Sequence, residues 1–363
     1  MDGNSIKDKK IIDRTLPEVF FSNMKLSRLD ILNLIWMLNT LGADYLEINL
    51  DILKKVEKLP PNLNFIYRIY SWTDLEGLAL HSFNNILLSS DVPQFRSILD
   101  SLTLYQKDIT IEFRVETIKQ LDNLGRLFEA GFMKGVRTVR IIGLNRFVTN
   151  EWLDICGRIK TRYGVSIDIC PENRFYNATA AAVDGIMEAA DFVTASFTGY
   201  GGVSGYAAIE QVLTFIKVIL NPSHRIQLKA LPEMSRSFSK AAGVKIPENM
   251  PVIGENIFKY ESGIHADGIN KNPMTYEPYD PQIVGQERKL SIGKHSGRKS
   301  ALKKLQELGF EAENVQISMF LKLLREKSIL LNRNLEDNEI MDLAKLAEVS
   351  NVYNAVIMNP AKS

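Results

Sequence analysis

The chain has 363 residues, 45% hydrophobic and 24% charged, with 44 Lys and Arg against 43 Asp and Glu for a net charge of +1. That balance leaves no electrostatic footprint for nucleic acid or an anionic membrane, and no apolar run approaches the ~20 residues of a membrane span. Two cysteines, Cys156 and Cys170, make neither a disulfide framework nor a Cys-x-x-Cys site, and residues 1–10 lack the apolar core of a signal peptide, so a cytoplasmic protein is expected.

In chain order, short β-branched or apolar runs alternate with amphipathic stretches. Residues 10–13 read as a strand, and 27–41 as a helix with Ser27 as its N-cap. Further strands are expected at 44–49, 64–70, 85–88, 110–114, 138–142, 165–170 and 192–195, with helices at 117–130, 151–163 and 178–190 among them. Repeated β/α units imply a parallel sheet, and eight of them suit a closed barrel. Residues 232–251 show little periodicity and read as a joint, after which helices are expected at 299–308, 315–331 and 338–350. The predicted architecture is α/β: a (β/α)8 TIM barrel over 1–250, followed by a small, mostly helical subdomain over 251–363.

The most informative stretch is Glu261-Ser-Gly-Ile-His-Ala-Asp-Gly-Ile269, followed by Lys271-Asn-Pro-Met-Thr-Tyr-Glu-Pro-Tyr279 and Gly293-Lys-His-Ser-Gly-Arg298. Two of the four histidines, His265 and His295, sit there among glycines and charges rather than on an apolar face. One polar loop is ordinary; three within forty residues suit a site that handles acids.

These segments resemble the lid region of homocitrate synthases and 2-isopropylmalate synthases, above all the short homocitrate synthases, and the resemblance runs from Ile11 to about Leu305. It implies a (β/α)8 barrel and lid that condense acetyl-CoA with a 2-oxo acid (2-oxoglutarate for homocitrate synthases) at a divalent metal. It also implies a dimer in which one subunit's lid reaches over its partner's barrel. His265 matches the family's lid histidine, a candidate acid or base for the condensation. An unperturbed imidazole titrates near ~6.5, which suits proton transfer.

Within the barrel the resemblance weakens where the chemistry should lie. Asp13-Arg-Thr-Leu-Pro-Glu18 matches a pattern in which an arginine stabilises the enolate and the next acid binds metal. Glu18 keeps the ligand, but Pro17 replaces the arginine and brings no donor. The two metal-binding histidines of the seventh strand become Cys170 and Glu172, which alternation still points to one side. A site of Glu18, Cys170 and Glu172 would leave a divalent ion at −1 rather than the family's +1, repelling a dianionic acid. Arg174 is positioned to offset that charge or to pair with Glu172, and is a candidate substrate contact. Glu47 matches a glutamate retained at the second strand, open to a substrate or a structural role. Gly143-Leu144 and Arg114-Val115 replace other family site residues, Tyr206 stands where relatives carry an asparagine near the metal, and the glycine-rich loop 199–208 is kept. Burial of Val19, Phe20, Phe21 and Leu144 is expected to fill and dry the former pocket.

Three readings follow. The favoured one is a weakly active or non-catalytic family member, a homodimer or the partner of a catalytic homologue, able to supply His265 in trans. The second is a working acyltransferase with a rebuilt metal site and altered 2-oxo acid specificity. The third is a sensor or binding protein for small-molecule acids, with Arg114, Arg140 and Arg174 as anion contacts.

Overall fold

A computed structural model describes residues 9–358 apart from 24, 105–106, 130, 132, 134, 145–150, 221–224, 262–264, 266–267 and 270. The chain divides into two compact units: 1–247 with 251–253, and 248–250 with 254–363.

The first unit is a closed barrel of eight parallel strands in sequence order: β1 (Lys10–Asp13), β2 (Tyr45–Ile48), β3 (Phe65–Ile69), β4 (Asn85–Ser89), β5 (Asp108–Val115), β6 (Val136–Gly143), β7 (Ser166–Pro171) and β8 (Phe192–Ala195). β1 closes the ring on β8, pairing Ile11 with Val193 and Asp13 with Ala195. The helices around it are α1 (Thr15–Ser22), α2 (Arg28–Leu41), α3 (Leu50–Val56), α4 (Gly77–Leu80), α5 (Phe95–Thr103), α6 (Ile118–Glu129), α7 (Glu151–Tyr163), α8 (Ala178–Met187), α9 (Ile209–Phe215) and α10 (Leu231–Ala242). Helix α2 shows why the sequence folds this way. Ser27 and Asp30 form a reciprocal capping box, Ile31, Leu34, Ile35, Leu38 and Leu41 are buried at helical spacing, and Gly42 ends the helix at φ +123°.

Helix α10 overturns part of the expected joint. Leu231, Met234, Phe238 and Ala241 are buried, a stripe at steps of three and four that the intervening Ser, Arg and Lys residues obscured. Pro232 sits in its first turn, where a proline costs no hydrogen bond.

The second unit carries a two-stranded parallel sheet, β9 (Lys259–Tyr260) with β10 (Lys289–Leu290), and helices α11 (Arg298–Glu307), α12 (Ile317–Leu331) and α13 (Asp337–Met358). Its own core joins Ile292, Leu305, Phe320, Leu324, Ile340 and Ala344.

Candidate functional site at the C-terminal end of the barrel

The end of β1 is tied down before any functional group emerges. The Asp13 carboxylate accepts from Thr15 N at 2.9 Å and Thr15 Oγ1 at 2.7 Å, and Thr15 Oγ1 accepts from Phe197 N at 2.8 Å. Burial pushes Asp13 up to about 7 despite the bonds from Thr15. Pro17 is buried in the first turn of α1, where its missing N–H had no helical acceptor. Where the family pattern has an arginine, this helix presents a prolyl ring. Val19, Phe20 and Leu144 are buried as expected, but Phe21 is 88% exposed. Its ring is open to solvent and takes no part in the buried filling.

The guanidinium beside Glu18 and Cys170 belongs to Arg14, a residue that the pattern leaves unspecified and sequence reasoning passed over. Its side chain is only 5% exposed. Nη2 donates to Glu18 Oε1 at 2.7 Å and Nη1 to Cys170 Sγ at 3.0 Å, while the cation lies 3.9 Å from the centroid of the Tyr206 ring. Glu18 Oε2 accepts from Gly202 N at 3.0 Å. The adjacent Gly201 has φ +117°, and a Cβ there would come within 2.5 Å of the Glu18 carboxylate, so glycine is required for this approach. Burial pushes the Cys170 thiol up to about 12 against the pull of Arg14 and Arg140, which keeps it a neutral thiol. Glu172 turns elsewhere: Oε1 accepts from Arg114 Nη1 at 2.7 Å, and Oε2 lies 3.7 Å from Arg174 Nε.

This donor set does not fit the divalent metal that the resemblance implies. Both Glu18 oxygens are engaged, the Cys170 sulfur accepts a hydrogen bond from the Arg14 guanidinium, and Glu172 is paired to a second arginine, Arg114. Among the described residues, no three His, Cys, Asp or Glu side chains are grouped to hold a metal ion. The three expected ligands share one end of the barrel but are not assembled into a site.

Below this layer the barrel interior holds a buried ion network. Arg140 is wholly buried, its Nε 2.5 Å from Asp168 Oδ2 and its Nη1 hydrogen-bonded to Glu47. Arg68 pairs with both oxygens of Glu112, through Nη1 at 3.0 Å and through a shorter bond from Nη2, and reaches Glu47 at 3.4 Å. Burial works to raise Glu112, but Arg68, Arg14 and Arg140 outweigh it and bring the group down to about 2. Glu47, a candidate substrate contact, is therefore committed to two arginines and fully buried, while Arg174 remains half-exposed beside Glu172. Arg140 offers no accessible anion contact, whereas Arg114 is 41% exposed. The network left a sequence signal, a charge flanked by apolar residues in each of five strands, at Glu47, Arg68, Glu112, Arg140 and Asp168, although β5 and β6 also carry the exposed charges Asp108, Arg114 and Arg137. Burial on the barrel interior separates the first set from the second.

In the second unit, His265 is exposed and its ring lies 4.7 Å from that of Tyr276. It borders a hollow of about 190 Å³ with Phe258, Tyr260, Ile269 and Glu277. Glu277 is held by a two-pronged pair with Arg288, at 2.8 and 2.7 Å. Of the expected lid run, Ser262, Gly263, Ile264, Ala266 and Asp267 lie outside the described residues, as does His224. The later motif forms a hydrogen-bonded turn through Gly293 N to Ser296 Oγ and Lys294 N to Ser328 Oγ, and leaves Lys294, His295 and Arg298 exposed.

Comparison with known proteins decides the family. The chain is 35% identical over 352 residues to the homocitrate synthase omega subunit of Clostridium pasteurianum, covering 95% of this chain and 97% of that one. This chain belongs to the homocitrate synthase family. A profile of the homocitrate synthase post-HMGL domain matches residues 252–328 of this family member. Homocitrate synthase 1 of a Nostoc species is 38% identical over 181 residues, 50% of this chain and 48% of that one. The fold is shared more widely: HMG-CoA lyase of Bacillus subtilis superposes with a TM-score of 0.53 at 14% identity, over 66% of this chain and 96% of that one. Among the described residues, no helix is long and apolar enough to cross a membrane.

Proposed function

We propose that this chain is a non-autonomous subunit of a homocitrate synthase-type acyltransferase, one that works beside a catalytic homologue in the cytoplasm. In this reading it does not condense acetyl-CoA with a 2-oxo acid in its own barrel. The observation that carries the reading is the closed Arg14 cluster. The Arg14 guanidinium, one helical turn from the position where the family pattern has its arginine, is covered by Tyr206 and spent on Glu18 and Cys170, so neither substrate nor metal has a place to engage it. The printed name of the Clostridium relative, an omega subunit, agrees with a multi-subunit arrangement, and the chain matches almost all of that protein. The contribution to the partner is His265, exposed in the second unit and backed by Tyr276.

The test is thiol release from acetyl-CoA with 2-oxoglutarate, measured on the purified chain and on the chain co-expressed with an active homologue. The expected result is no turnover alone, co-purification with the homologue, and partner activity that drops at least tenfold on His265→Ala. Turnover by the chain alone at rates typical of enzymes, on the order of 1–10 s⁻¹, overturns the reading.

A further inference from the structure

We infer that the Arg14 guanidinium is a built-in cation standing where relatives assemble a metal ion, so that this barrel is organised without metal. The reading of Glu18, Cys170, Glu172 and Tyr206 as metal-adjacent positions comes from the sequence pattern, while the geometry supplies Arg14. Three of those four residues surround one guanidinium: Glu18 at 2.7 Å, Cys170 at 3.0 Å and the Tyr206 ring at 3.9 Å. The fourth, Glu172, is joined to Tyr206 by an isolated antiparallel bridge and pairs outward with Arg114. The cluster gathers β1, α1, β7 and the loop after β8 around a single positive charge. That is the organising role of an ion, filled by a side chain that cannot dissociate.

The chemistry separates the two kinds of cation. A guanidinium is permanently charged, planar and a donor only, so it satisfies a carboxylate and a thiol at fixed angles. It has no open coordination position to offer a carbonyl, and here its face is closed by Tyr206. Its buried side chain lies between Glu18 and Cys170 and hydrogen-bonds both, so the two cannot share a metal while it is there. A chain built this way is insensitive to chelators and to metal supply. The inference stands apart from the pairing proposed above, since its test involves neither a partner nor turnover.

The experiment compares the wild-type chain with Arg14→Lys and Arg14→Ala. Metal content is measured by elemental analysis, cobalt(II) uptake by its thiolate charge-transfer absorption, and melting temperature with and without EDTA. The wild type is expected to carry less than 0.1 equivalent of metal, to give no cobalt–thiolate band, and to melt at the same temperature in EDTA. Arg14→Lys, which keeps a cation on the same stem, is expected to exclude cobalt as well. Arg14→Ala frees Glu18 and Cys170 around a cavity and is expected to melt lower, and to take up cobalt with a band that Cys170→Ser abolishes. Stoichiometric metal in the wild type, or a melting temperature lowered by EDTA, overturns the inference. So does an Arg14→Ala chain that melts like the wild type and binds no cobalt. If Arg14→Ala does not fold, the wild-type and Arg14→Lys measurements decide.

Discussion

The buried network makes a sharp prediction about Glu47. If Glu47 is a structural anchor, removing its partner Arg140 must destabilise the barrel directly, with no substrate involved. Arg140→Met keeps most of the side-chain volume and deletes the bonds to Asp168 and Glu47, both of them 0% exposed. Two buried carboxylates then lose a shared cation, and breaking a buried pair in this way costs roughly 3–5 kcal/mol. For a barrel of this size each kcal/mol moves the melting temperature by about 2–4 °C, so a fall of roughly 6–20 °C is expected. Adding Asp168→Asn to Arg140→Met removes one of the stranded charges and is expected to recover part of the loss, which measures the coupling between the two sites. The assay is thermal unfolding followed by circular dichroism at pH 7, without ligands. A loss below about 1 kcal/mol for Arg140→Met would refute the structural assignment and return Glu47 to the list of accessible site residues.

Three further outcomes are expected. Glu210 is buried, with Oε2 accepting from Thr198 N at 2.9 Å, and burial raises it from an ordinary 4.5 to about 7. Between those values the unfolded chain has released a proton the folded chain keeps, so stability falls as pH rises, by roughly 3 kcal/mol for this group. Glu210→Gln keeps the acceptor for Thr198 and should gain about that much relative to wild type between pH 4.5 and 8; parallel stability curves for the two proteins would count against it. Cys156 and Cys170 are buried with thiols raised to about 12, so a disulfide reagent at pH 8 should titrate neither in the native chain and both after denaturation. Rapid native labelling of either one would contradict the closed site. Gly201→Ala forces a left-handed residue to place Cβ within 2.5 Å of the Glu18 carboxylate, so a loss of about 1–3 kcal/mol is expected in thermal melts. An unchanged melting temperature would show that the loop does not depend on its approach to Glu18.

How much was legible in the sequence depended on whether a feature is local. The strands at 10–13 and 192–195 appear where their β-branched runs place them, and Ser27 caps its helix because a serine three residues before an aspartate satisfies the first-turn N–H groups. Helix α10 was missed because its buried stripe is sparse and its polar residues dominate a linear reading. Phe21 was misplaced because it directly follows two buried residues in sequence, whereas successive positions on a helix face different directions and this ring is exposed.

The sequence alone determined the short strand runs and the Ser27 cap, since each is set by neighbouring residues; the count of eight β/α units and the loss of an arginine at Pro17 rested on the resemblance to the family. The sequence did not determine what took over the charge. Arg14 meets Cys170 across 156 residues of chain, and Arg140 meets Glu47 across 93. Closure of the barrel, pairing β1 with β8, is what brings such groups together in a region dry enough for their charges to matter. A side chain's partner in a closed barrel is set by register and ring closure, which only the tertiary structure decides.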